Sequence, residues 1–397
     1  MKKILALVLA LALCLTAVVS LADPIEKESI KLGVITLHDD KSTYDANFIN
    51  AVKEACEELG LEEGKNYVIV SGIEESDACR ETALDLVDEG CNIIFADSFG
   101  HEDYMIAAAK EHPEVEFCHA TGTKAHTEGL ANFHNAFASI YEGRYLAGVA
   151  AGLKLNEIKE AGKLKGEVPM IGYVGAFPYA EVKSGYTSFY LGAKSVCPDV
   201  IMKVQFTGSW YDETGEKTAA EALIAAGADL ISQHADSMGA PTACETAGIP
   251  DVSYNGSTVE ACPNTFIVAS RINWVPYFKY IIAQRIAGEA IDTDWTGTIA
   301  TGSVELTAVN EQAAAAGTVE KIAEIKAKLE SGEIKVFDTA TFTKDGAAVE
   351  SYLADVDSDA AFTPDTEAIT DGYFAESSLR SAPYFDIDID GIEIVNN

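Results

Sequence analysis

From residue 31 onward, short apolar runs alternate with longer stretches in which apolar residues recur every three or four positions. The run 31–37 (KLGVITL) reads as a buried strand. Residues 48–60 (FINAVKEACEELG) set Phe48, Val52, Ala55, Cys56 and Leu59 on one helical face and stop at Gly60. The cycle continues with strands at 66–72, 91–97 and 115–122 and helices at 78–90 and 102–112. Strands alternating with helices of ten or so residues predict parallel βαβ units.

The cycle then restarts. A long helix rich in small residues is predicted over 139–153. Strands at 168–176, 200–208 and 228–235 alternate with helices at 181–196, 216–227 and about 238–247, and a short strand follows near Val252. The strand 265–273 and the helix 276–288 read as a return to the first half, and a helix at 318–331 closes the regular part. The fold class is α/β, with two Rossmann-like lobes built on parallel sheets and joined by a hinge. Residues 28–145 and 265–300 are expected in lobe 1, and residues 150–262 and 301–335 in lobe 2. Beyond Val336 the texture changes: residues 336–397 hold 14 acids against two bases, Lys344 and Arg380. They keep their aromatics and end in the alternating FDIDIDGIEIV, so an ordered acidic C-terminal extension packed on a lobe is expected.

The first 22 residues do not belong to this pattern. Lys2 and Lys3 precede an apolar run from Ile4 to Val19, and Ser20-Leu21-Ala22 offers small residues at the cleavage positions. The segment reads as a secretory signal cut after Ala22, and the run is short for a spanning helix. Cys14 follows Leu13 in mid-run, which is a poor setting for lipid attachment. An exported, unanchored protein is expected, periplasmic or at the outer face of the cytoplasmic membrane. The formal charge of the 397 residues is −35, and removal of the signal makes it two charges more negative. Such a balance excludes nucleic acid and anionic membranes as partners, because both demand clustered Lys and Arg. Seven cysteines remain in an odd set with no CxxC and no zinc spacing, so most are expected as small buried residues.

No phosphate loop, nucleophile elbow, HExxH or dinucleotide fingerprint is present, and the seven histidines show no metal spacing. Neither a cofactor nor an enzymatic activity is expected. In open α/β sheets, ligands sit beyond the carboxyl ends of strands. Those ends carry Tyr44, then Asp97, Ser98, Phe99 and His101 in the first half. The second half supplies Phe177, Trp210, His234, Asp236 and Asn255, and the return strand ends at Asn273 and Trp274. Aromatic residues at strand ends in both halves point to a flat ligand in a cleft. Trp210, in the polar turn GSWYD, is hard to explain by packing, whereas Asp236 could equally cap the next helix and Trp274 fits the core. Arg271 is the one cleft candidate for a ligand carboxylate.

KLGVIT, IYEGRYLAG (140–148), GYVGAFP, LGAKSV, GSWYD (208–212), ADLISQHADS and RINWVPYF, in that order, resemble the basic membrane protein family of ABC-importer substrate-binding proteins. The resemblance covers about 30–335 and implies a type I periplasmic binding fold. GSWYD, QHADS and NWVPY are closer to a purine-base-binding branch than to the nucleoside receptors. The resemblance implies that Tyr44 and Trp210 face the two sides of a purine and that Phe99, Phe177 and Asp236 line the site. Tyr44 stands where that branch usually has Trp, after a slightly shorter loop. Asn255 stands where the family often has Asp, in a turn that reaches a ribose in nucleoside binders, and the loss of charge favours a free base. The implied partners are a purine base or nucleoside, an ABC permease and its ATPase, for a protein expected to be monomeric. The alternatives are a sugar or amino acid on the same fold, an exported nucleoside hydrolase, or a surface sensor.

Overall fold

The computed structural model describes residues 23–356 and 363–395; the segment read as an export signal and Phe362 lie outside them. The first lobe runs β1 (Leu32–Thr36), α1 (Thr43–Leu59), β2 (Tyr67–Ser71), α2 (Asp77–Asp88), β3 (Ile93–Ala96), α3 (Glu102–Glu111), β4 (Glu116–His119), the single turn α4 (Ala125–Glu128) and β5 (Phe133–Ala138). The second runs α5 (Ile140–Glu160), β6 (Met170–Gly175), α6 (Ala180–Val196), β7 (Ile201–Phe206), α7 (Glu213–Ala225), β8 (Leu230–His234), α8 (Gly239–Ala247), β9 (Asp251–Tyr254) and β10 (Phe266–Ile272). Then follow α9 (Val275–Ala287), β11 (Asp294–Gly297), β12 (Val304–Leu306) and α10 (Thr318–Glu330). Local chemistry sets the boundaries. Ser42 caps α1 by accepting from the N–H of Asp45, and Gly60, at φ 66°, ends it in the left-handed region.

The first sheet has the order β11-β5-β4-β3-β1-β2, parallel throughout. The second has the order β12-β10-β9-β8-β6-β7, with β12 antiparallel. Two of the expected boundaries move. Residues 266–272, expected to return to lobe 1, form β10 inside the second sheet, with Ala269 opposite Ser253. The return comes one step later, at Trp274, whose ring stacks on Phe48 of α1 at 4.5 Å. A strand apolar on both faces does not reveal which of two sheets it enters. Likewise the whole of α5 from Ile140 lies on lobe 2, so the chain first crosses at Ser139. There α5 and α6 approach to backbone contact: a Cβ on Gly148 would collide with the carbonyl of Phe189, and one on Gly192 with that of Tyr145.

The extension is ordered over its described residues. β13 (Leu353–Ala354) pairs with β14 (Thr366–Glu367), β15 (Ile369–Thr370) pairs with β16 (Tyr373–Phe374), and β17 (Ile392–Ile394) runs parallel to Met202–Val204, adding an edge strand to the second sheet. Phe337 stacks on Phe385 at 4.2 Å. The alternation at 385–389 buries Phe385, Ile387 and Ile389 and turns Asp386 and Asp388 outward, where Lys183 of α6 meets both, at 2.6 and 2.8 Å. The extension also reaches lobe 1, because the N–H of Ser381 donates to Asp294 Oδ1 of β11 at 2.9 Å. The seven cysteines among the described residues are free and buried.

Candidate functional site

A cavity opens between the lobes at the carboxyl ends of both sheets. Its lobe-1 wall begins with the turn after β1. Asp45 organises that turn by accepting from the N–H of His38 at 2.7 Å and from the Ser42 hydroxyl at 2.5 Å. Burial works against the Asp45 carboxylate, but its contacts with His38 and Ser42 outweigh burial and hold its pKa below the usual value. Tyr44 follows on the first turn of α1. Its hydroxyl donates to the carbonyl of Asp97 at 2.7 Å and its ring meets Phe48 edge-on at 4.9 Å, so the exposed ring face is fixed. Asp97, fully buried at the end of β3, accepts from the N–H of Leu37 at 3.1 Å with one oxygen, and its other oxygen has no partner in the protein. Burial, then the Asp45 charge, pushes its pKa well up.

The lobe-2 wall carries Trp210 after β7. Phe177 meets its ring edge-on at 5.2 Å. Tyr179 stacks on Phe177 at 5.0 Å and, across the lobes, on Phe99 at 5.4 Å. Asp236, after β8, donates its N–H to the Trp210 carbonyl at 2.9 Å, and its Oδ1 accepts from Asn255 Nδ2 at 3.3 Å. Burial, then Asp45, Glu216 and Glu181, raises the Asp236 pKa well above the ordinary carboxyl value. Of the six residues singled out, Tyr44, Phe99, Trp210 and Asp236 line the cavity. Phe177 backs Trp210 instead, and Asn255, at φ 64°, sits behind Asp236.

The sequence from 32 to 339 matches the family described as ABC transporter substrate-binding protein, PnrA-like (Bmp). The chain belongs to the Bmp family. A purine-binding protein of Brucella abortus is 31% identical over 329 residues, covering 81% of this chain and 87% of the relative. A putative ABC transporter glucose-binding protein of Haloferax volcanii is 34% identical over 207 residues, covering 52% and 49%. Among solved structures, a solute-binding protein of an ABC transporter system from Aeropyrum pernix superposes with a TM-score of 0.63 at 19% identity, covering 78% of this chain and 93% of that one. The architecture is that of type I periplasmic solute-binding proteins, and no helix among the described residues is long and apolar enough to cross a membrane.

In this Bmp chain the motif IYEGRYLAG is a scaffold. Arg144 is fully buried and donates to the Tyr173 hydroxyl at 2.7 Å, to Ser232 Oγ at 3.1 Å, to the Gln233 carbonyl at 3.2 Å and to Ser270 Oγ at 3.3 Å, joining β6, β8 and β10. Its guanidinium lies 4.9 Å from the Tyr254 ring centre. It therefore fixes the floor on which His234 and Tyr254 stand. Both line the cavity with Glu181 and Thr121; His234 stood among the strand-end residues, whereas Tyr254, Glu181 and Thr121 were not singled out in the sequence. Both ring nitrogens of His234 and the Tyr254 hydroxyl are buried without a hydrogen-bond partner in the protein. Burial lowers the His234 pKa, despite Glu181 Oε1 at 3.6 Å, so the ring is neutral at pH 7. Gly185 lets α6 come this close, since a Cβ there would sit 2.5 Å from His234 Nδ1. Glu216, fully buried in α7, accepts from the N–H groups of Asp212 and Ser237, each at 3.2 Å, and so joins the Trp210 loop to the Asp236 loop; burial raises its pKa to about 7. Arg271 takes no part: it pairs with Glu305, to which its Nε donates at 2.7 Å.

Proposed function

We propose that this ABC transporter substrate-binding protein carries a purine, as base or nucleoside, between its lobes and presents the closed form to a permease and its ATPase. The observation that carries the reading is the pairing of two fixed aromatic side chains, Tyr44 from lobe 1 and Trp210 from lobe 2, around one cavity whose polar lining has buried groups left over. Stacking contributes about 1–3 kcal/mol per aromatic face. A micromolar site needs about 8 kcal/mol. Edge hydrogen bonds must supply the difference, and Asp236, His234 and Tyr254 offer acceptors and donors for a heterocycle edge. A ligand N–H set against Asp236 would favour its carboxylate over the neutral form that burial prefers.

Among the described residues no lysine or arginine lines the cavity, and Glu181, Asp45 and Asp236 do. That disfavours nucleotides and, with Arg271 held by Glu305, amino acid carboxylates. The Brucella relative supports the purine reading. A sugar is the second reading, favoured by the name of the Haloferax relative alone. A thermal-shift screen with purine bases, nucleosides, sugars and amino acids separates these readings: the purines should stabilise the protein, and stabilisation by glucose without any purine effect would replace the first reading with the second.

A further inference from the structure

The C-terminal extension touches both lobes, and its hold on them is unequal. On lobe 2 the hold is broad. β17 runs beside β7, with Glu393 opposite Lys203. Phe385, Ile387 and Ile389 are buried, and Lys183 of α6 pairs with Asp386 and Asp388. At the start of α5 the Tyr141 hydroxyl donates to the carbonyl of Glu376 at 3.3 Å, and the Tyr141 ring lies 5.4 Å from that of Phe337. On lobe 1 the hold rests on Ser381, whose N–H donates to Asp294 Oδ1 at 2.9 Å.

The stretch that makes this reach is stiff. Glu376 is buried and accepts from the N–H of Tyr384 at 2.7 Å and that of Phe385 at 3.0 Å, which closes the loop 376–385 on itself. Arg380 donates to the carbonyls of Ala382 at 3.2 Å and Pro383 at 3.4 Å within the loop, and to that of Asp355 at 3.1 Å. Ser381 is fully buried, so the bond to Asp294 is shielded from water. The chain thus leaves lobe 2 after Glu376, meets lobe 1 at Ser381 and is back on lobe 2 at Asp386.

Asp294 is well placed to register a movement of the lobes. It opens β11, whose last residue, Gly297, accepts from the N–H of Ser139 at 2.8 Å, where the chain first crosses between the lobes. Rotation of lobe 1 about that crossing carries Asp294 away from the loop, and a shift of about 1 Å already takes a hydrogen bond out of range. Thr121 and Thr123 of lobe 1, Tyr179 and Ala180 of lobe 2, and Arg380 and Ala382 of the extension surround one cavity of about 310 Å³. Loop and lobe 1 therefore meet beside a gap, and their contact can part without opening either core.

We infer that residues 376–386 form a latch, fixed to lobe 2, that grips lobe 1 at Asp294 and biases the lobes toward the closed arrangement before any ligand arrives. A ligand then pays less of its binding energy for closure, because the competent form is already populated. The inference does not depend on which ligand the cleft takes.

Small-angle X-ray scattering of the purified protein, freed of ligand by dialysis, tests the latch. The wild type should scatter as the closed structure does. Asp294→Ala, which removes the acceptor, should raise the radius of gyration by about 1 Å or more, whereas Asp294→Asn, which keeps an oxygen in place, should scatter as the wild type does. Ser381→Pro removes the N–H from the other side and should expand the protein as Asp294→Ala does, so it decides the matter if Asp294→Ala does not fold. Variants as compact as the wild type, or a ligand-free wild type as expanded as the variants, overturn the latch. Equal expansion of Asp294→Asn would trace the effect to β11 itself and overturn it too.

Discussion

The N–H of Thr43 donates to the carbonyl of Asp236 at 3.1 Å, and the Thr43 hydroxyl reaches the same oxygen at 3.3 Å. The first turn of a lobe-1 helix thus has one of its otherwise unpaired N–H groups satisfied by a strand end of lobe 2. Asn47 and Asn255 add a weaker contact alongside, at 3.5 Å. These bonds tie lobe 1 to lobe 2, and an opening of the cleft would have to break them. They place closure at the residue proposed to read the ligand edge, so ligand binding and lobe closure draw on the same few atoms.

Trp210→Ala removes one aromatic face and leaves its supports, Phe177 and the Asp236 loop, in place. Purine affinity should fall at least tenfold by calorimetry, in line with about 1–3 kcal/mol per stacked face, while the melting temperature moves little because Trp210 is only half buried. Unchanged affinity would remove Trp210 from the site.

Asp236→Asn keeps the shape but cannot become a carboxylate. Binding should weaken more than tenfold for a ligand that offers N–H donors, since charged acceptors form the stronger hydrogen bonds. The apo protein should be as stable or more so, because burial penalises the charge that the substitution removes. A loss of stability with unchanged affinity would make Asp236 a structural residue.

Arg144→Met leaves buried hydroxyls and a carbonyl without their donor. A destabilisation of about 3 kcal/mol is expected, measured by urea unfolding. A change below about 1 kcal/mol would mean that the strand ends hold without it.

The acidity of the chain gives stability a pH dependence. Burial raises Glu142, Glu216, Asp251 and Glu376 to about 7, and pushes Asp97 and Asp236 well up. Each binds a proton in the folded state more readily than in the unfolded chain, where carboxyls titrate near about 4. Stability therefore rises as pH falls through the folded value toward the unfolded one. Burial lowers His101 and His119 to about 4, and lowers His234, so these groups act in the opposite direction below about 6.5. With the carboxyls more numerous, the ligand-free protein should melt higher at pH 5.5 than at pH 8. A maximum at pH 8 would show that the buried carboxyls are charged at little cost.

The sequence spoke clearly where period and chemistry agree. KLGVITL and the helix that ends at Gly60 could be read directly, as could aromatic residues at strand ends, because short apolar runs and glycine stops report local geometry. β5 (FHNAFA) escaped notice because its polar residues are buried against partners remote in sequence: His134 with Glu116 at 2.9 Å, and Asn135 with Glu102 at 3.1 Å. β10 was legible as a strand but not as a member of the second sheet, since that choice is made by Ser270 and its neighbours meeting Arg144. Glu181 could not be found from spacing, nor could its meeting with His234, a residue the strand ends did offer. They are brought together by the packing of α6 on β8 through Gly185, which is a tertiary contact.

The central claim is that a purine occupies the cleft. Its most direct test is a calorimetric titration of the purified protein against purine bases, purine nucleosides, glucose and free amino acids under one set of conditions. The account predicts saturable binding of one purine ligand per chain, micromolar or tighter, with no heat of binding for glucose or amino acids. Saturable binding of glucose or an amino acid with none for any purine would contradict it.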